Sequence, residues 1–151
     1  MKKSEEIKLS KKIQKKLRRP RKVAKSVKLD PAVKALWVAA LRSGDYKQGK
    51  DALRPTEDTF CCFGVLCNLH AMAYPEVAKY ETDFPSYLHN DLSPPGEVML
   101  WATGDVANSI TQLPKVSVPQ TKGKPKFDFL ANHNDAGVDF LTIAKAIDDQ
   151  L

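Results

Sequence analysis

The sequence has no long apolar run. A membrane-spanning helix needs ~18 consecutive apolar residues, and the longest such stretch, Phe60 to Cys67, stops at Asn68, so a chain without a transmembrane segment is expected. Cysteine is also scarce. The three present, Cys61, Cys62 and Cys67, are odd in number and two are adjacent, unlike the spaced, even set of a secreted disulfide framework, which implies reduced thiols in a cytoplasm. The N-terminus lacks the continuous apolar segment of a signal peptide, because Lys2 and Lys3 run into Glu5, Glu6 and a lysine-dense stretch, and export by that route is not expected. There is no internal repeat, no glycine-rich phosphate cradle and no Cys-x-x-Cys pair.

Charge is present in quantity and unevenly placed. Residues 1–28 hold thirteen Lys or Arg against Glu5 and Glu6, a net of +11, so the +6 of the whole chain leaves −5 for residues 29–151. The basic character therefore belongs to an N-terminal arm. A single-sign block of this size works through phosphates or acidic surfaces. Nucleic acid, or an acidic protein surface, is the partner expected of residues 1–28, with Lys11, Lys12, Lys15, Lys16, Arg18, Arg19, Arg21 and Lys22 as its contacts. The alternative is a solubilising tail. Leu9, Ile13 and Leu17 recur every four residues and would form a narrow apolar stripe on a basic helix, which Pro20 ends.

Beyond the arm the pattern is mainly α: one compact helical domain with little β structure, over residues 29–151. Asp30 is a good N-cap with Pro31 at the first helical position, and Val33, Leu36, Trp37, Ala40 and Leu41 follow with helical spacing up to Ser43-Gly44. Asp45 to Pro55 reads as an ordered loop. Cys61 to Tyr74 is apolar nearly all round, which predicts a core helix closed by Pro75, with Thr59-Phe60 as a short extended piece before it. Glu76 to Pro94 reads as loop, and Pro95 starts a short helix through Glu97, Val98, Leu100 and Trp101. Residues 103–126 fit a loop or small hairpin around Val116 and Val118. Asp139 caps a last helix with Phe140, Ile143, Ala144 and Ile147 on one face, preceded by an Asn134-Asp135-Ala136-Gly137 turn.

The residues Trp37, Leu41-Arg42-Ser43-Gly44, Tyr46-Lys47-Gln48-Gly49, Leu53-Arg54, Cys61-Cys62-Phe63-Gly64-Val65-Leu66-Cys67 and Asn134-Asp135-Ala136-Gly137 form a set. Together they resemble a family of small proteins common in bacteriophage genomes, over roughly residues 32–149 and without the arm. The Cys-Cys-x-Gly-Val-x-Cys segment is the most specific part. The resemblance implies a phage or prophage origin, the cytoplasm of a bacterial host, and accessory roles in host takeover or counter-defence. It implies no activity.

Four constellations could carry chemistry. Cys61 or Cys62 at a helix N-terminus would gain thiolate character from the exposed N–H groups, with Gln48 as oxyanion donor and His133 with Asn134 or Asp135 as base and orienter. The spacing does not match papain-like enzymes, and core cysteines are the commoner outcome, so no catalytic residue is assigned and a cysteine-dependent hydrolase or transferase stands as an alternative. Cys62, Cys67 and His70 do not share one helical face, so neither a metal site nor a cofactor is expected. The loop side chains Arg42, Tyr46, Gln48 and Arg54 gather cationic and aromatic groups, making a module that sequesters a host nucleotide signal a further alternative; a solvated loop held by Tyr46 packing is the favoured explanation, since no glycine-rich phosphate cradle accompanies the charges. Asn134 to Gly137 is read as an Asx turn. The leading expectation is a non-enzymatic accessory protein acting through its arm.

Overall fold

The computed structural model describes residues 28–76, 86–88, 90–104 and 113–151. The basic arm with its Leu9, Ile13 and Leu17 stripe lies outside these residues, as do parts of the two loops expected between Glu76 and Pro94 and between residues 103 and 126.

Helix α1 (Pro31–Arg42) begins as its sequence dictates: Asp30 Oδ1 accepts from the Ala32 and Val33 amides at 2.9 and 3.1 Å, and Pro31 occupies the first turn. Its buried arc is Val33, Trp37, Val38 and Leu41, whereas Leu36 is 52% exposed. The apolar spacing alone had placed Leu36 on that face. Val38 completes the arc instead, because α1 is covered on the side where Val38 points and open on the side of Leu36.

Strand β1 (Lys47–Gln48) pairs in parallel with β2 (Thr59–Phe60), with Lys47 opposite Thr59 and Gln48 opposite Phe60. The extended piece expected at Thr59-Phe60 is thus half of a two-stranded ribbon whose other half lies inside the segment read as loop. Helix α2 (Cys62–Ala73) is buried at Cys62 to Cys67, Leu69 and His70, with Tyr74 as C-cap, as a core helix apolar on all sides requires. Helix α3 (Gly96–Thr103) follows Pro95 and ends at Gly104, whose φ of 72° is the left-handed conformation that glycine accepts most readily. The Asp30 amide donates to the Ala102 carbonyl at 2.7 Å, which ties the start of α1 to the end of α3.

Strands β3 (Val116–Val118) and β4 (Lys126–Asp128) form an antiparallel hairpin with Ser117 opposite Phe127. Val116 and Val118 point into the core and Ser117 points away. Helix α4 (Leu130–Asp135) was not anticipated: Asn134 and Asp135 form its last turn, and the chain leaves it through Gly137 at φ 94°. The burial of Leu130, His133 and Asn134 on one side holds this short helix in place. Helix α5 (Phe140–Gln150) is capped by Asp139, which accepts from the Thr142 amide at 2.8 Å, and buries Phe140, Ile143, Ala144, Ala146 and Ile147.

Helix α5 packs along α1 on one side and against β3 on another, and α2 runs between α1, α3 and α4. The buried side chains form one contiguous core. Among the described residues the protein is mostly α-helical with a small β part, and no helix is long and apolar enough to cross a membrane.

Candidate functional site

The polar side chains of the interior converge on the N-terminus of α2. A helix begins with amides that have no partner inside it, and here two of them are met from different parts of the chain. The Cys62 amide donates to Asn134 Oδ1 at 3.2 Å, and the Gly64 amide donates to Cys61 Sγ at 3.3 Å. Asn134 is fully buried and its amide group is fully used. Its oxygen also accepts from Gln48 Nε2 at 3.0 Å, while its Nδ2 donates to the Gly49 carbonyl at 2.9 Å and approaches Asp135 Oδ1 at 3.4 Å. Gln48 Nε2 additionally donates to the Val138 carbonyl at 2.6 Å, and the Asp51 amide donates to Asp135 Oδ1 at 3.0 Å.

The same helix end is held from two further directions. Trp37 Nε1 donates to the Cys62 carbonyl at 2.9 Å, and the Cys61 amide donates to the Leu53 carbonyl at 3.1 Å. That carbonyl lies so close to Gly64 that a Cβ there would overlap it. The Cys-Cys-x-Gly spacing therefore has a structural cause: a thiol cap, a buried thiol, and a glycine that lets the preceding loop touch the helix.

The thiols sit in surroundings that keep them neutral. Burial pushes the Cys61 thiol up to about 11 despite the Gly64 N–H, and it raises Cys62 and Cys67 well above the usual thiol value. Cys62 Sγ lies 3.8 Å from the Leu130 carbonyl. His133 is buried, with Nε2 2.9 Å from the Val116 carbonyl and Nδ1 without a hydrogen-bond partner. Among the described residues no hydrogen bond joins His133 to Cys61 or Cys62. Gln48, Cys62 and Asn134 are thus brought together, and what they form is a cap on α2.

His70 places Nδ1 2.8 Å from the Tyr87 hydroxyl and packs among Tyr74, Tyr87 and Trp101. Burial lowers its pKa. No group of three or more His, Cys, Asp or Glu side chains stands where it could hold one ion, among the described residues.

The loop residues separate. Arg42 Nη2 is 3.8 Å from Asp148 Oδ2 on α5. Tyr46 accepts a 2.7 Å hydrogen bond from Asn68 Nδ2 and meets Phe60 edge-on. Arg54 donates to the Glu57 carbonyl through Nε at 3.1 Å and Nη2 at 2.7 Å, and lies over the Phe60 ring. Gln48 faces inward to Asn134.

One surface was not singled out in the sequence. The hairpin β3–β4 carries Lys115, Lys122, Lys124 and Lys126 beside Phe127, which is 65% exposed. Its signal was legible as lysines alternating with Gly123 and Pro125 before an aromatic residue. A groove of about 680 Å³ runs between this hairpin and α5, with Ser117, Pro119, Pro125, Leu141 and Lys145 among its walls.

A family model described as a domain of unknown function, DUF8296, matches residues 29–151. The chain belongs to this family. The DUF8296 match begins at Leu29, one residue before the Asp30 cap, and leaves out residues 1–28. The residues that carry the family resemblance, from Trp37 to Gly137, lie inside the match, and of them Trp37, Gln48, Gly49, Cys61, Cys62, Gly64 and Asn134 meet at the N-terminus of α2. No curated protein and no solved structure matches the chain.

Proposed function

We propose that the protein is a non-enzymatic phage accessory protein, acting in host takeover or counter-defence, whose basic arm binds nucleic acid. The observation that carries this reading is the segregation of charge, +11 over residues 1–28 against −5 over residues 29–151. Polyanion binding by such an arm is driven by counterion release and needs no shaped pocket. The state of the buried polar groups in the domain supports it: Gln48, Asn134 and the cysteines are spent on fixing α2, and raised thiol pKa values disfavour nucleophilic chemistry. Phosphate contacts position a protein without reading sequence, so binding should depend little on base order.

The test is fluorescence anisotropy with a labelled duplex at low ionic strength, comparing the native chain with one in which Lys11, Lys12, Lys15, Lys16, Arg18, Arg19, Arg21 and Lys22 are all replaced by Gln. The reading expects duplex binding by the native chain and its loss, by a factor of ten or more, in the variant. Equal affinity of the two would refute it.

A further inference from the structure

The β3–β4 hairpin is a basic island on an acidic domain. Residues 113–127 contain Lys115, Lys122, Lys124 and Lys126 and no Asp or Glu, so the rest of residues 29–151 nets −9. Lys126 Nζ forms an exposed ion pair with Asp128 Oδ2 at 3.6 Å, while Asp128 Oδ1 accepts from the Phe129 amide at 2.7 Å and Asn132 Nδ2 at 2.8 Å; a polyanion would have to compete for Lys126 with that one carboxylate oxygen. Lys122 and Lys124 flank Gly123 at the tip, exposed, with no ion-pair or hydrogen-bond partner among the described residues. Lys145 and Asp149, on the α5 side of the neighbouring groove, neutralise one another at 2.8 Å.

Lysines and prolines on a short, open strand have a defensive explanation, since they keep an edge from pairing with other chains. Phe127 runs against it. It stands directly opposite Ser117, so both project from the same face, away from the core that Val116 and Val118 enter. Ser117 lines the groove, together with Leu141, itself 61% exposed. An exposed phenyl ring close in the chain to Lys122 and Lys124, which have no partner among the described residues, combines the two elements that hold a single-stranded nucleic acid: cations for its phosphates and a ring face for an unpaired base. A duplex keeps its bases stacked and would offer this hairpin phosphates alone.

We propose that the β3–β4 hairpin is a second nucleic-acid contact, in which Lys122, Lys124 and Lys126 hold the phosphates of a single strand and Phe127 stacks on one of its bases. The proposal rests on the reading of the protein as a nucleic-acid binder, and it adds a contact that the arm does not supply.

The experiment uses full-length protein, a labelled oligothymidylate as the single strand, and a duplex of equal length. Phe127→Ala should weaken oligothymidylate binding roughly five- to a hundredfold, the range for loss of one base stack, and leave duplex binding within about twofold. Replacing Lys122, Lys124 and Lys126 by Gln should lower the salt slope on the single strand by up to about 2. In a Phe127→Trp protein, oligothymidylate should quench the new indole's emission, a signal that purely electrostatic attraction would not produce. Phe127 is exposed, so its substitution should leave the circular dichroism and melting curve unchanged. Unchanged oligothymidylate affinity in the Phe127 and lysine variants, with binding abolished by neutralising the arm, would overturn the hairpin contact and leave the arm reading standing. Loss in the hairpin variants with none on arm neutralisation would do the reverse. Equal weakening on single strand and duplex, or displacement by polyglutamate as effective as by oligothymidylate, would overturn the stacking contact.

Discussion

Asn134 caps a helix that lies 72 residues away in the chain, its side-chain oxygen accepting the Cys62 amide at 3.2 Å. The same amide group holds Gln48 and the Gly49 carbonyl, so one buried side chain fastens α4, the β1 ribbon and the start of α2. Replacing it by Ala leaves the buried Cys62 N–H and the half-buried Gly49 carbonyl without these partners. Each such group costs about 1–3 kcal/mol. Asn134→Ala should therefore lose about 3 kcal/mol of stability in urea unfolding, with a loss below about 1 kcal/mol showing that water or repacking replaces the network.

Gly64 supplies a second point of failure at the same place. A Cβ there meets the backbone carbonyl of Leu53, which cannot retreat without breaking its 3.1 Å hydrogen bond from the Cys61 amide. Gly64→Ala should cost at least about 3 kcal/mol, although Ala is the better helix former elsewhere by about 1 kcal/mol. A variant as stable as the parent in the same denaturant titration would show that the loop before α2 does not approach the helix as described.

The two adjacent cysteines should respond differently to substitution. Cys61 acts as an N-cap through Sγ, a task that Ser performs well, whereas Ala cannot. Cys61→Ser should be within about 0.5 kcal/mol of the native chain and Cys61→Ala about 1 kcal/mol below it. Cys62 is fully buried, and its truncation to Ala should cost about 1–3 kcal/mol. With all three thiols buried and raised in pKa, a disulfide reagent at pH 8 should modify none of them quickly until denaturant is added. Rapid native-state labelling of Cys61 or Cys62 would revive the nucleophile reading.

His70 should make stability depend on pH. Burial lowers its pKa below the usual 6.5, with Glu97 opposing the shift, and its ring is packed among Tyr74, Tyr87 and Trp101. The unfolded chain then takes up a proton near pH 6.5 while the folded chain takes it up only at lower pH, so stability is full above 6.5 and declines as the pH falls through that value. The melting temperature should fall more steeply between pH 6.5 and 5 for the native chain than for His70→Gln. Parallel profiles for the two proteins would place the acid sensitivity elsewhere.

Features written in consecutive residues were legible before the structure: the Asp30-Pro31 start of α1, the core helix closed by Tyr74 and Pro75, and the Asp139 cap with its apolar face. Each depends on neighbours within one or two turns. The β1–β2 pairing was not legible, because two two-residue strands in parallel carry no periodicity. Asn134 was read as a turn residue, since its partners Gln48, Gly49 and Cys62 lie 72 to 86 residues away and leave no local trace. Leu36 was placed inward by spacing that cannot say which side of a helix is covered. Gln48, Cys62 and Asn134, which the cysteine-nucleophile alternative groups together, do meet, but only burial and hydrogen-bond partners distinguish a helix cap from a reacting centre.

The arm reading is tested most directly by the salt dependence of duplex binding. With about 5–8 phosphate contacts from residues 1–28, the logarithm of the association constant should fall linearly with the logarithm of salt concentration, with a slope of about −5 to −7. Neutralising the eight arm cations from Lys11 to Lys22 should flatten that slope to between zero and about −3, the remainder being what Lys2, Lys3, Lys8, Lys25 and Lys28 of the arm and the hairpin lysines supply. A native chain that shows no salt-sensitive binding at low ionic strength, or a neutralised arm that keeps the full slope, would contradict it.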